Sequence, residues 1–136
     1  MNSDRVFLTA EWRNLVLFNY EVEPGLLLQF APSGTELDRW NAKTFLSLVG
    51  FRFLKTRVLV LPIPFHSDFD EVNLRFYVRR REGDEVRRGV VFMREIVPQR
   101  AIAVVARAFY NENYVALPMS HEIRATKDNG VAATYR

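Results

Sequence analysis

The chain has 136 residues, of which 49% are hydrophobic and 26% charged, a globular mixture that predicts one domain spanning residues 1–136 rather than a disordered chain. It has no cysteine, no apolar run of the ~18 residues that a membrane span needs and no secretory signal, which predicts a cytoplasmic protein without disulfides or thiolate chemistry. The net charge of +3 comes from 19 basic and 16 acidic residues that are interleaved, so no one-sided basic face for nucleic acid is expected.

The first part of the chain reads mainly as strands. Leu15–Val22 is aromatic and branched and predicts a strand, and a short helix is expected over 25–30. Pro24 favours that helix because proline at a first helical position loses no hydrogen bond. A short strand is expected at Glu36–Trp40.

The next segment predicts a strand in the interior. Thr44–Leu54 is apolar on both parities, as in a strand covered on both faces. Gly50 within it indicates a bulge or a close approach of another group to the backbone. Two prolines in Leu61–Phe65 remove two ladder donors, so that segment is expected to be an extended connection rather than a central strand.

A β-hairpin is the clearest local pattern. Val72–Val78 alternates strictly between apolar and polar residues, Gly83 and Asp84 mark a tight turn, and Val86–Ile96 returns as the partner strand. We expect a two-residue turn, which places Arg80 opposite Arg87, or a three-residue loop, which places Arg81 there.

The last part predicts a helix and two strands. Gln99–Tyr110 has apolar residues at helical spacing, and strands are expected at Tyr114–Arg124 and Val131–Arg136 around a turn at 129–130. About seven strands and two short helices define an α+β fold with a mostly antiparallel, barrel-like sheet.

The polar parity of the hairpin strand is the most informative candidate site. Glu71, Asn73, Arg75 and Tyr77 point to one side of it. They could form the solvated outer face that an antiparallel sheet commonly has. Alternatively they line a cavity, where Arg75 would bind a carboxylate and Glu71 or Tyr77 would transfer protons. The pattern alone favours the solvated face.

Other candidates are weaker. Arg79–Arg88 is the densest charge cluster, and a solvated tip is favoured over an anion site there. His66 has carboxylates nearby, but their spacing does not demand a metal, and no metal or cofactor is predicted. Arg107 and Tyr114 flank the end of the predicted second helix, where the spacing alone favours packing over a functional role.

Several segments together resemble a known family. They are Asn19–Pro24, Lys43–Phe51, Glu71–Val78, Gly89–Phe92 and Ala106–Arg107 leading into Tyr114–Met119. In these segments the chain is similar to the YqjF-like family of bacterial proteins, domain of unknown function 2071, which is related in fold to acetoacetate decarboxylase. The element E-x-N-x-R-x-Y-V at Glu71–Val78 is the most specific part of the resemblance.

The resemblance implies a cone-shaped, mostly antiparallel β-barrel around a central cavity. The resemblance reverses the preference for a solvated face and implies that Asn73, Arg75 and Tyr77 line the cavity. It implies a ligand-binding role less strongly for His66, Arg107 and Tyr114. Members of the family are generally longer, so the chain resembles an N-terminal portion. It is expected to expose an open strand edge and to form homo-oligomers through it.

The chain departs from acetoacetate decarboxylase at the residue that does its chemistry. That enzyme uses a Schiff-base lysine within a Pro-Lys-Lys sequence. Here the comparable proline, Pro118, is followed by Met119 and Ser120, and no two lysines are adjacent. Decarboxylation by that route is therefore not expected.

Two functions follow as hypotheses. In the first, the barrel binds a small anionic or carbonyl-bearing molecule through Arg75, with or without acid–base chemistry. In the second, the chain is a non-enzymatic interaction module that uses exposed strand edges and the Arg79–Arg88 hairpin.

Overall fold

The computed structural model describes residues 8–58, 61–62, 67–98 and 114–136. In these ranges the chain forms one short helix and nine strands: β1 (Leu8–Val22), α1 (Pro24–Leu28), β2 (Glu36–Leu37), β3 (Thr44–Val58), β4 (Leu61–Pro62), β5 (Phe69–Glu82), β6 (Glu85–Val97), β7 (Tyr114–Ala116), β8 (His121–Ala125) and β9 (Val131–Tyr135). The α+β, mostly antiparallel class predicted from the sequence is confirmed.

Seven strands form one sheet in which the order of the main path is β1-β3-β5-β6-β7. β2 pairs with β5 and β4 pairs with β3, while β8 and β9 form a separate two-stranded sheet. All pairs are antiparallel except β6 and β7, which run parallel. The sheet is open over the described ranges, so barrel closure is not part of the observed architecture.

The register divides the side chains of the sheet between two faces. Residues directly opposite each other on neighbouring strands share a face, and Ser47 lies opposite Arg75 while Val49 lies opposite Asn73. We call this side the polar face; the polar members that the site uses are Asn19, Ser47, Glu71, Asn73, Arg75, Tyr77 and Glu95.

The other face carries a hydrophobic cluster under the helix. Leu27 of α1 and Leu37 of β2 pack on Phe76 and Val78 of β5. Proline at the start of α1 favours the turn that places Leu27, at 3% exposure, against the sheet. This cluster packs on the face of β5 opposite the polar face. It therefore holds in place the strand that carries the polar side chains.

A second cluster lies on the polar face, towards the start of β5. Phe69 and Val97 are buried there against Phe53, Tyr114 and Ala116. The Phe53 and Phe69 ring centroids are 4.8 Å apart. Packing of this kind holds the short strand β7 beside β6 and brings Tyr114 to the polar face.

The central hairpin is confirmed and has the two-residue turn. Glu82 lies opposite Glu85, and Gly83 has φ +63°, a conformation that glycine adopts without steric cost. Arg80 therefore lies opposite Arg87.

Gly50 is also explained. One extra residue on β1 lies between the pairs Arg13–Arg52 and Val16–Gly50, and Asn14 adopts φ +54° in this bulge. The ring of Tyr135 packs directly on Gly50. The sequence indicated a bulge or a close approach, and both occur.

Several predicted bounds are wrong. The strand expected at Glu36–Trp40 ends at Leu37, because the chain then turns between residues 40 and 43. The strand expected at Tyr114–Arg124 is split into β7 and β8 around Pro118, which has no N–H to donate.

Other predictions extend or fall outside the described residues. β1 and β3 both run longer than predicted because each pairs with the other along almost its whole length. In the segment predicted to be an extended connection, Leu61 and Pro62 form a two-residue strand against the end of β3. The rest of that segment, 63–65, lies outside the described residues. The predicted helix at Gln99–Tyr110 lies outside it as well.

Helices that could reach across a lipid bilayer do not occur in the described part of the chain.

Candidate functional site

Along β5 and its two neighbouring strands the polar face is buried and is not a solvated surface. Glu71 and Asn73 are each 2% exposed, Glu95 is 3% exposed, and Ser47 is fully buried. The solvated-face interpretation, which the alternating pattern alone favoured, is therefore wrong for this part of β5. Burying so many polar groups costs free energy of folding unless each group has a hydrogen-bond partner.

One set of hydrogen bonds is centred on Glu71. The Nδ2 amide of Asn73 donates to Glu71 Oε1 at 3.1 Å, and the Tyr114 hydroxyl donates to Glu71 Oε2 at 3.0 Å. Tyr114 reaches this position because β7 pairs with β6, where it lies opposite Glu95. The two donors fix the orientation of the Glu71 carboxylate, and both of its oxygens are engaged.

A second set joins three strands through Ser47. The Ser47 hydroxyl donates to Asn19 Oδ1 at 2.5 Å and lies 2.7 Å from the Tyr77 hydroxyl. Because the serine has a single proton, Tyr77 is the donor in the second bond. The lone pairs of the Tyr77 oxygen that remain can accept a hydrogen bond from a bound molecule.

Arg75 lies between these two sets and is without a partner in the described ranges. Its Nε is buried and makes no hydrogen bond, and no ion pair among the described residues involves its guanidinium. The register between β5 and β6 shifts at this residue: Leu74 faces Arg94, but Arg75 faces Phe92, which leaves Met93 as an extra residue. Bulges of this kind re-aim side chains next to functional sites.

Asn73 contributes a second unsatisfied atom. Its amide nitrogen is used by Glu71, but Oδ1 is buried with no hydrogen-bond partner. Each unsatisfied buried group of this type costs about 1–3 kcal/mol. A free donor at Arg75 and a free acceptor at Asn73 therefore lie two residues apart on one face.

A cleft of about 320 Å³ opens at the Tyr77 end of the polar face. It is lined by Asn19, Asp38, Arg39, Trp40, Phe45, Tyr77 and Arg88. Asp38 is tied to the sheet because its N–H donates to the carbonyl of Tyr77 at 2.9 Å. Its carboxylate lies 3.3 Å from Arg88 Nε. Asn19 and Tyr77 thus belong to both the polar face and the cleft.

The arginine hairpin has its own acidic partners. Arg79 pairs with Glu36 at 2.9 Å and Arg87 with Glu82 at 3.1 Å. Arg80 lies 3.5 Å from Glu82. The like charges that face each other across the ladder are compensated by these carboxylates, which supports the solvated tip and not an anion site.

The remaining predicted residues are placed as follows. His66 and Arg107 lie outside the described residues, so their roles stay predictions. Tyr114 is brought to Glu71, as described above. Asn73, Arg75 and Tyr77 share one face, but only Tyr77 lines the cleft. Groups of three or more metal-ligating side chains do not occur within the described ranges.

The other histidine belongs to a structural contact that the sequence did not reveal. His121 Nδ1 lies 2.7 Å from Asp70 Oδ2, and Arg52 Nε lies 3.3 Å from Asp70 Oδ1. The arginine contact is electrostatic, because its geometry does not meet that of a hydrogen bond. The pair ties the β8–β9 hairpin to the face opposite the polar face.

Two of the three lysines are engaged at the surface. Lys43 Nζ lies 2.6 Å from Glu21 and Lys55 Nζ 2.6 Å from Glu11. The hydrogen bond from Lys55, followed by that from Arg13, lowers the pKa of Glu11. Neither amine is in the desolvated setting that activates a Schiff-base lysine.

Asn19, Ser47 and Trp40 belong to the site but were not predicted from the sequence. Asn19 and Ser47 carry a weak signal, since each is a polar residue flanked by apolar or aromatic neighbours in its strand. Trp40 carries none, because a tryptophan beside a turn is equally compatible with a packed core.

These features define a class of protein: an α+β chain with an open, mostly antiparallel sheet, one face of which buries a layer of polar side chains. The chain belongs to the DUF2071 family of uncharacterised conserved proteins, whose pattern matches residues 9–136. It is similar to the uncharacterised protein YqjF of Bacillus subtilis (strain 168), with 29% identity over 125 residues. The match covers 91% of this chain and 48% of YqjF, so the chain spans about half the length of this relative.

Proposed function

We propose that this chain binds a small anionic or carbonyl-bearing molecule on the polar face, in the cavity of an incomplete barrel whose β1 edge stays open. The observation that carries the proposal is the pair of unsatisfied buried atoms, Arg75 Nε and Asn73 Oδ1. An arginine without an ion pair fits a carboxylate, which it binds through parallel N–H···O bonds. Asn73 Oδ1 can only accept, so it fits a hydroxyl or amine donor next to the anionic group.

The other polar residues have defined parts in this proposal. Glu71 is oriented by Asn73 and Tyr114 and is the general-base candidate if a reaction occurs. Tyr77 is the general-acid candidate and the more accessible of the two, because it also lines the cleft. His66 and Arg107 are carried as further ligand-binding candidates on the family resemblance alone.

Isothermal titration with a panel of small carboxylates, including hydroxy acids and keto acids, tests the proposal. Arg75→Met should weaken binding of any responding acid by at least tenfold, since a charge-assisted bidentate contact contributes more than about 1.5 kcal/mol. Arg94→Met is the matched control, because Arg94 is an exposed arginine on the neighbouring strand. Unchanged binding in Arg75→Met, or no binding of any acid, contradicts the proposal.

A second proposal concerns partners and rests on β1. This strand is the end of the main path of the described sheet, and five large hydrophobic side chains on it are 40–55% exposed: Trp12, Leu15, Leu17, Phe18 and Tyr20. An exposed edge of this length is a template for pairing with another strand. We propose that β1 pairs antiparallel with β1 of a second copy.

Sedimentation velocity tests the pairing. The wild-type chain should be a dimer, and Leu17→Lys combined with Phe18→Lys should favour the monomer, because like charges of the two copies would then meet along the paired edge. Arg80→Glu combined with Arg87→Glu is the control and should not change the mass. A wild-type monomer, a dimer that persists in the β1 variant, or a mass governed by the arginine hairpin contradicts β1 pairing.

A further inference from the structure

We propose that the molecule bound at Arg75 is an amphipathic anion, a carboxylate joined by a short chain to an aromatic ring that lies against Trp40 in the cleft. This inference rests on the proposed function and specifies its ligand class. It is drawn from the arrangement of the cleft relative to Arg75, the way Trp40 is held, and the charges at the rim.

The two ends of the site are Arg75 and the cleft at Tyr77, and they are separated along β5. Arg75 and Tyr77 are neighbours on one face of β5, and a strand rises about 3.4 Å per residue, so they are ~7 Å apart along the strand. Tyr77 lines the cleft, as does Phe45, which lies two residues before Ser47 on β3. A molecule anchored at Arg75 must extend by about this distance to reach the aromatic part of the cleft.

Trp40 lines the cleft and presents its indole ring to solvent. Its side chain is 71% exposed, which is unusual for the largest apolar residue. A tight two-residue turn holds it: Trp40 and Lys43 exchange two backbone hydrogen bonds of 3.0 Å each. Asn41 and Ala42 within the turn have φ +49° and +63°.

The turn is an energetically costly way to present a tryptophan. An alanine in the left-handed region costs about 1–2 kcal/mol relative to its ordinary conformations. Strain of this kind is found where the surrounding structure needs a fixed geometry, and it clusters at ligand-binding sites. The exposed indole, carried on a turn of fixed backbone geometry, therefore supplies a flat surface on which a planar ring can stack.

The rim of the cleft carries more positive than negative side chains. The cleft is lined by Arg39, Arg88 and Asp38, and the carboxylate of Asp38 is engaged by Arg88. Arg39 has no ion pair within the described ranges, so a net positive charge stands at the rim. This charge favours the approach of an anion and disfavours that of a cation of the same shape.

The test uses a graded series of probes: phenylacetate, 3-phenylpropanoate, 4-phenylbutanoate and 5-phenylpentanoate. Butanoate and pentanoate serve as acids without the ring, and 4-phenylbutylamine as the cation of similar shape. Binding is followed by calorimetry and by the fluorescence of Trp40 in a Trp12→Phe background, which leaves Trp40 as the only tryptophan.

Affinity should rise along the series to the two longest acids, and these should bind at least tenfold more tightly than butanoate and pentanoate. Trp40→Ala should remove that tenfold advantage and leave the plain acids unchanged, and Trp40→Phe should keep most of it. The amine should not bind.

The two proposals fail in different ways. If Arg75→Met weakens all acids but the ring adds no affinity, or if Trp40→Ala changes nothing, the amphipathic ligand is wrong and the anion site stands. If no acid binds, or if Arg75→Met has no effect on any of them, the anion site itself is wrong.

Discussion

The ring of Tyr135 lies against the backbone of Gly50, so closely that a Cβ at Gly50 would be 2.8 Å from Tyr135 Cδ2. The Tyr135 hydroxyl also donates to the carbonyl of Asn14 at 2.8 Å. One side chain near the end of the described chain thus packs on β3 and bonds to the bulge of β1. It fastens the β8–β9 hairpin to the main sheet.

Gly50→Ala should destabilise the protein by about 1–3 kcal/mol, because the new methyl group overpacks the contact with a ring that is held at its hydroxyl. Urea unfolding measures the effect. Gly25→Ala is the control, since nothing lies within 4 Å of a Cβ at that helical position, and it should be neutral or stabilising. In a Tyr135→Ala background the cost of Gly50→Ala should disappear; a cost that persists would place the strain elsewhere.

Stability should fall at alkaline pH through Tyr135. Burial, followed by the charge of Asp70, raises the pKa of Tyr135 above its ordinary value of 10.0. The unfolded chain then releases its proton first, so stability is fully present below pH 10 and is lost as the pH rises through the folded-state pKa. Urea unfolding between pH 8 and pH 11 measures this.

Tyr135→Phe separates this effect from that of the other tyrosines. It should lower stability by a constant amount of about 1 kcal/mol below pH 10, through the lost bond to Asn14, and it should show a shallower alkaline decline. Equal slopes in wild type and variant would assign the decline to other groups.

The Asn19–Ser47–Tyr77 bonds should contribute measurably to stability. Tyr77→Phe leaves the buried Ser47 hydroxyl with Asn19 as its only partner and should cost about 1 kcal/mol. Tyr20→Phe is the matched control, because Tyr20 is 54% exposed, and it should change stability by less than about 0.5 kcal/mol. Indistinguishable midpoints for the two variants would show that the bond to Ser47 contributes nothing.

Borohydride reduction in the presence of keto acids should leave the mass of the chain unchanged. Lys43 and Lys55 are exposed and bound to carboxylates, so neither is in the setting that activates a Schiff-base amine, and Pro118 is followed directly by Met119 and not by a lysine. Intact-mass spectrometry measures the result. A stable adduct on Lys43 or Lys55 would restore the Schiff-base route that the sequence argues against.

Local patterns determined much of the secondary structure. Strict alternation in Val72–Val78, a glycine turn and a returning strand define a hairpin because each is set by neighbouring residues. Pro24 before an apolar run defines the start of α1 for the same reason. The break at Pro118 was missed because the choice between one strand and two depends on which partner each half finds.

The candidate site shows where local information ends. The alternation placed Glu71, Asn73, Arg75 and Tyr77 on one side, but alternation does not say which side faces water. The burial of a face is decided by what packs on it, which alternation does not encode. On the face opposite the polar face, for example, α1 and β2 pack on β5.

The partners of the site came from the tertiary structure alone. Asn19 and Ser47 are 28 residues apart and Glu71 and Tyr114 are 43 apart, and they meet only through the order and register of the strands. The length, composition and alternation of the sequence determined an α+β, mostly antiparallel chain with a one-sided polar strand. The strand order decided which residues surround Arg75, because hydrogen-bonded register, and not sequence proximity, brings their side chains together.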